Sequence, residues 1–159
     1  MKIREIMTTD PVTVTPGTAV DEVAQVLLDA RINSIAVLDS DRHVLGMIST
    51  GDLTHRMADE RFNDRESWWK ESLYRTPLRR PAADQPDRIE GKTAAEVMTR
   101  RVISVTPNDD TSVAARMLLE HRIHTVPVTD GGQLVGTVSR FDLIRCLIRH
   151  PECCNPLRR

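Results

Sequence analysis

The chain has 159 residues, 40% of them hydrophobic, which is enough for a real core and makes neither a disulfide scaffold nor a multidomain enzyme the expectation. Lys plus Arg number 22 against 23 Asp plus Glu, a net charge of -1, so general attraction to nucleic acid or to an anionic membrane has no support in bulk charge. No run approaches the ~18 apolar residues that cross a bilayer, and the opening MKIREIMTTD carries charge from its second residue, unlike a secretory signal. A reducing, cytoplasmic setting is expected, with Cys146 and the adjacent Cys153 and Cys154 as inert thiols, since a vicinal pair is not a CxxC site and no metal set converges.

Taken in chain order, the residues describe the same series of elements twice. Met7-Thr8 recurs as Met98-Thr99, Val14-Thr15-Pro16 as Val105-Thr106-Pro107, and Leu27-Leu28 and Arg31-Ile32 as Leu118-Leu119 and Arg122-Ile123, all at an offset of 91. After one deletion in a turn the offset becomes 90, and Gly46, Ser49, Asp52 and Leu53 map onto Gly136, Ser139, Asp142 and Leu143. Each copy starts with a short extended segment, Pro11 to Val14 or Val102 to Val105. A helix follows. In copy one Thr18-x-x-Asp21 has the form of a capping box ahead of the stripe Val20, Val23, Ala24, Leu27 and Leu28. In copy two the helix opens near Asp109 or Asp110, with Ala114, Ala115, Leu118 and Leu119 on the equivalent face. Hairpins come next, Ser34 to Leu38 with Val44 to Ser49, and Thr125 to Thr129 with Leu134 to Ser139. Final helices begin near Asp52 and Asp142.

The expected fold class is therefore α/β, two β-α-β-β-α repeats packed with pseudo-twofold symmetry, because each copy is too small to stabilise a core alone. The division is 1–53 for the first repeat, 54–92 for an insert, 93–150 for the second repeat and 151–159 for a tail. The insert holds four of the five aromatics, Phe62, Trp68, Trp69 and Tyr74; its first half reads as helical and its second half, with Pro77, Pro81 and Pro86, as an irregular spacer. A helix covering one end of the core is the plainer reading of that first half, a lid or a subunit contact the sharper one.

The openings Ile6-Met7-Thr8 and Val97-Met98-Thr99, Arg-Ile after each first helix, and Gly-x-x-Ser-x-x-Asp near the end of each copy resemble the cystathionine β-synthase (CBS) domain, and two such repeats a Bateman module. The resemblance covers about 1–53 and 93–148. It implies a paired module that binds an adenosine-containing ligand (AMP, ADP or ATP, or else NAD or S-adenosylmethionine) in clefts between repeats, forms homodimers through the repeat helices, and regulates an effector protein or domain without catalysis or a required cofactor. It also implies that Val12, Ile35 and Ala36 in copy one, and Ile103, Val126 and Pro127 in copy two, surround the adenine.

The residues permit this chemistry. Ser49 and Ser139 end apolar strands where a helix start exposes amides to an anion, and Asp52 and Asp142, one turn further on, can accept both hydroxyls of a ribose. Arg140 adds a cation for phosphate in copy two where copy one has Thr50, so the two sites are expected to differ; His124 is placed to meet a phosphate or a ring, although a solvated role is the plainer one. The same Ser-x-x-Asp is also a capping box that needs no ligand, which keeps a structural dimerisation module as the alternative. Neither a GxxxxGK[ST] loop nor a GxGxxG turn is present, no Ser/His/Asp or Cys/His order is recognisable, and an enzyme is not expected.

Overall fold

The computed structural model describes residues 1–59 and 92–151, with the side chains of 56–59 excepted. The expected helix beyond residue 59, the proline-rich spacer, Trp68-Trp69 and the Cys153-Cys154 tail lie outside the described residues. Repeat one contains β2 (Thr13–Val14), α1 (Val20–Ala30), β3 (Ser34–Leu38), β4 (Val44–Ser49) and α2 (Thr50–Asp59). Repeat two contains α4 (Thr111–Glu120), β5 (Thr125–Asp130), β6 (Gln133–Ser139) and α5 (Arg140–Arg149). Each is introduced by a short leading segment: a 3-10 turn at Ile3–Glu5 with β1 (Thr8–Thr9) before repeat one, and α3 (Ala94–Val97) before repeat two.

Two three-stranded sheets form, in the orders β2-β3-β4 and β1-β6-β5. The hairpins match in register, Ser34 opposite Ser49 and Thr125 opposite Ser139, each with a shift one or two residues before the turn. The expected Val102 to Val105 strand is reduced to a parallel bridge from Val105 to Val128, the counterpart of Val14 beside Val37. Pro127, which has no amide to donate, lies on β5 at the edge of its sheet.

The leading segments are exchanged. β1 belongs to the opening of repeat one, yet it pairs antiparallel with β6 of repeat two, Thr8 opposite Thr137; reciprocally Thr99 bridges Met47 of β4. Ile3, fully buried, joins the core of Val105, Ala114, Leu118, Val126, Val128 and Val138, while Ala94, Val97 and Met98 complete the core of Val14, Val20, Val23, Leu27, Ile35, Val37 and Ile48. The duplicated methionines and glycines explain one another through this exchange. A Cβ on Gly46 would stand 2.5 Å from Met98 Sδ, and one on Gly136 2.9 Å from Met7 Sδ and 2.8 Å from the Thr8 carbonyl oxygen. Because side chains alternate along a strand, Ile35 and Val37 face the helices while Ala36 and Leu38 face the other way, into a smaller cluster with Leu134, Val44 and Met47 that joins the repeats.

Two local expectations differ from the structure. Thr18 does not cap α1: its Oγ1 accepts from the Thr15 amide at 3.1 Å, and Ala19, drawn into a bridge with Thr93, takes the N-cap position without a side-chain bond. Cys146, 4% exposed on the inner face of α5, is disulfide-bonded rather than an inert thiol, with Met1 Sδ 3.2 Å from its sulfur.

Candidate functional site

The strand-to-helix junctions β4-α2 and β6-α5 have nearly the same geometry. At the second, Ser139 is the N-cap: Asp142 Oδ2 accepts from the Ser139 amide at 2.7 Å and from its hydroxyl at 2.6 Å, and Ser139 Oγ accepts from the Asp142 amide at 3.3 Å. At the first, Asp52 Oδ2 accepts from the Ser49 amide and hydroxyl, both at 2.7 Å, and Ser49 Oγ accepts from the Asp52 amide at 3.2 Å. The Thr50 amide is taken by the Asn33 carbonyl at 2.9 Å and the Arg140 amide by the His124 carbonyl at 3.2 Å. The amides of the serine, the next residue and the aspartate are thus already bonded, which narrows the expected phosphate cradle to the amides of Gly51 and Phe141 among the described residues.

The two junctions differ in their charges. Asp142 is buried, and its second oxygen accepts from Arg145 Nη1 at 3.2 Å; Asp52 is half-buried. Arg140, the cation expected to meet phosphate, donates from Nε to the Ile123 carbonyl at 3.1 Å and from Nη2 to the Leu118 carbonyl at 3.3 Å, where it offsets the C-terminal dipole of α4. Thr50 is exposed and its carbonyl accepts from the Thr54 hydroxyl.

The residues expected around a base are spread over both faces of the sheets. Ile35 and Val126 are 1% and 0% exposed within the helix-covered cores, Ala36 and Pro127 are buried on the opposite faces, Val12 is 48% exposed, Ile103 is half-buried and His124 exposed. Alternation therefore brings Ala36 and Pro127 to the inter-repeat side and turns Ile35 and Val126 from it.

Sequence reasoning did not single out the side-chain cluster carried by the turn between β3 and β4. Asp39, Asp41 and His43 bring three possible ligand atoms within 4.8 Å of one another. Asp39 Oδ1 accepts from the amides of His43 at 2.8 Å and Asp41 at 2.9 Å, and Oδ2 stands 3.3 Å from His43 Nδ1. The His43 amide, followed by that of Asp41 and the imidazole, holds the Asp39 carboxyl below its ordinary value. The turn is also tied to the other repeat, through the Leu134 amide on the Arg42 carbonyl and the Gln133 side chain on the Asp41 carbonyl. The Asp-x-Asp-x-His order was the available signal.

A family model described as the CBS domain matches twice, over residues 3–59 and 94–149. The chain belongs to the CBS-domain family. A curated relative is the chloroplastic CBS domain-containing protein CBSX1 of Arabidopsis thaliana, 28% identical over an alignment of 145 residues that covers 86% of this chain and 58% of the relative, so the chain spans little more than half of that relative's length. Among solved structures, CBSX2 in complex with AMP matches with a TM-score of 0.70 at 22% identity, covering 93% of this chain and 96% of that one. The CBS domain pair of MJ0100 in complex with 5′-methylthioadenosine and S-adenosyl-L-methionine matches with a TM-score of 0.69 at 21% identity, covering 94% and 97%. At these identities the likeness establishes the CBS-pair fold, with its mixed α/β repeats. Among the described residues of this CBS pair no helix is long and apolar enough to cross a membrane.

Proposed function

We propose that this CBS pair is a regulatory module that binds an adenosine-containing ligand between its repeats and passes a change in their packing to an effector protein or domain, acting as a homodimer and performing no catalysis. The supporting observation is the duplicated Ser-x-x-Asp at equivalent junctions, Ser49 with Asp52 and Ser139 with Asp142, beside the interface where Ala36 and Pro127 face inward. Two proteins of the same fold are named as complexes with AMP and with methylthioadenosine and S-adenosylmethionine, which points to the adenosine moiety they share. For ribose, one carboxylate oxygen would keep the cap while the other accepts hydroxyls; at Asp142 this requires Arg145, whose side chain is 57% exposed, to swing away. A ligand acts as a switch only if it binds two packings with different affinity.

A second reading, a dimerisation module without a ligand, is favoured by the saturation of both caps and by the commitment of Arg140 to α4. Titration calorimetry with AMP, ATP, NAD and S-adenosylmethionine separates the two. The ligand reading expects heat with at least one of them, abolished in Asp142→Ala; no heat and no thermal shift at millimolar ligand leaves the structural reading, in which that substitution costs only about 1 kcal/mol of helix stability.

A further inference from the structure

Cys146 is buried on the inner face of α5 and disulfide-bonded, and neither the caps nor the proposed ligand chemistry uses it. The chain has two other cysteines, the adjacent Cys153 and Cys154. Were α5 to continue as a helix, a rise of 1.5 Å per residue would set Cys146 and Cys153 about 10.5 Å apart along the axis, beyond the roughly 4.4–6.8 Å between Cα atoms that a disulfide spans. α5 instead stops at Arg149, and its C-cap, His150, has φ -135 and ψ 62, so the chain leaves the helical path before it reaches the pair.

The surroundings of Cys146 join separate parts of the molecule. One turn back on the same face lies Asp142, buried in its cap. Met1 Sδ stands 3.2 Å from the Cys146 sulfur, and the Met1 carbonyl accepts from the Thr111 amide at 3.1 Å where α4 begins. Lys2 adds an ion pair to Asp110 at 3.0 Å. Cys146 thus sits where the leading segment of repeat one enters repeat two. When its sulfur carries a proton, Met1 Sδ is a weak acceptor in place for it, so the reduced form is accommodated as well as the oxidised one.

We infer that Cys146, Cys153 and Cys154 form a redox-sensitive clasp: in the oxidised chain Cys146 is bonded to one of the adjacent pair and ties the tail to α5 beside Met1, and a thiol reductant releases it. Burial bars attack at the Cys146 sulfur, so displacement takes place at its partner's sulfur, with Cys146 leaving as the thiolate. The first thiolate of a dithiol displaces Cys146 and forms a mixed disulfide with the tail cysteine. The second displaces that cysteine, and the reagent departs as its own disulfide. Two electrons pass to the protein, and two protons end on Cys146 and its former partner. Oxidised glutathione reverses the reaction and leaves as two molecules of reduced glutathione; the third cysteine stays a thiol throughout. Reduction frees the tail and, through Met1, loosens the segment that repeat two borrows. None of this depends on a bound nucleotide.

Peptide mapping of the full chain tests the bond. The protein is equilibrated with oxidised glutathione, quenched in acid, denatured, blocked with N-ethylmaleimide and cut with trypsin after Arg145, Arg149 and Arg158. Peptide 146–149 is expected to be joined to 150–158, which carries one blocking group, in protein of single-chain mass under denaturing, non-reducing conditions. Prior treatment with dithiothreitol is expected to separate the two, with one group on the first and two on the second. A bond within 150–158, a bond between chains, retained glutathione or three blocked thiols after oxidation overturns the clasp. Hydrogen exchange then reads the switch. Reduction of the wild type is expected to raise exchange at least about threefold in 1–9 and 140–149, to leave 34–49 unchanged and to lower the thermal midpoint by about 5 °C. Cys153→Ser/Cys154→Ser, which keeps the buried residue, is expected to match the reduced wild type with or without oxidant. Equal exchange in the oxidised and reduced wild type, or a redox response that survives in that variant, overturns the switch.

Discussion

Gly46 and Gly136 occupy matching strand positions, yet the structure gives them different tolerances. At Gly46 the nearest atoms to an added methyl belong to the Met98 side chain, three rotatable bonds long and able to move aside; at Gly136 one of them is the Thr8 carbonyl oxygen, held in the β1-β6 ladder. Gly136→Ala is therefore expected to cost about 1–3 kcal/mol and Gly46→Ala less, a difference that urea unfolding of the two variants measures; equal costs would show that β1 shifts as freely as Met98. The sequence displays both glycines and both methionines as repeated letters. It cannot display that Met7 rests on Gly136 and Met98 on Gly46, because periodicity reports likeness between copies and says nothing of which copy touches which. The caps show the same limit. Thr18-x-x-Asp21 and Ser139-x-x-Asp142 have the same form, and only the second closes, since Thr18 is captured by the turn at Thr15. At the candidate site the serines and aspartates were legible, whereas the folding of Arg140 back onto α4 was not, being a choice among acceptors contributed by residues 17 and 22 positions away.

At the scale of elements, hairpins and helices were legible to within a residue or two, because alternation and the 3.6-residue period are local signals. The short extended segments were less so: Val102 to Val105 reads as a strand, but only Val105 finds a partner. Turn chemistry was the larger omission. The β3-β4 turn places Arg42 at φ 67, where the β5-β6 turn uses Gly131 and Gly132, and Asp39 secures it by accepting from two amides. Those bonds favour the ionised carboxylate, so the Asp39 pKa in the folded chain lies below its value in the unfolded one. The stabilisation this gives is complete above the unfolded pKa and disappears as pH falls through the folded pKa. An NMR titration of the Asp39 carboxyl carbon is expected to give a midpoint below 3.8, rising toward that value in a variant that removes the amide bonds by opening the turn; a wild-type midpoint at or above 3.8 contradicts the account. Asp110, whose carboxylate meets Lys2 Nζ at 3.0 Å, is lowered for a different reason and makes a useful comparison, since added salt should raise its midpoint more than that of Asp39.

For the molecule as a whole, the exchange of leading segments determines how it can come apart. Division by sequence at the insert leaves each half without part of its own core: 1–59 lacks Ala94, Val97 and Met98, and 92–159 lacks Ile3, the Met7 contact and the β1 strand that covers the edge of β6. The leading segments also tie into the turns before the helices, with the Ile3 and Arg4 amides on the Asp109 and Pro107 carbonyls and the Ala94 and Ala95 amides on those of Thr18 and Pro16. Neither half can reach native stability alone, since loss of a buried side chain the size of Ile3 costs about 2–5 kcal/mol and a domain has only some 5–15 to lose. The intact chain is therefore expected to unfold in one cooperative step, and fragments 1–59 and 92–159, each lacking fixed tertiary structure, to recover a cooperative transition when mixed in equal amounts. A mixture using 10–59 in place of 1–59 separates cross-completion from simple docking, because it supplies every element of repeat one and withholds only what repeat two borrows. Near-ultraviolet circular dichroism and hydrogen exchange should then show β5 and β6 poorly protected while β3 and β4 are restored. Native-like protection of β5 and β6 in 92–159 alone would mean that the borrowed segment decorates a core already complete.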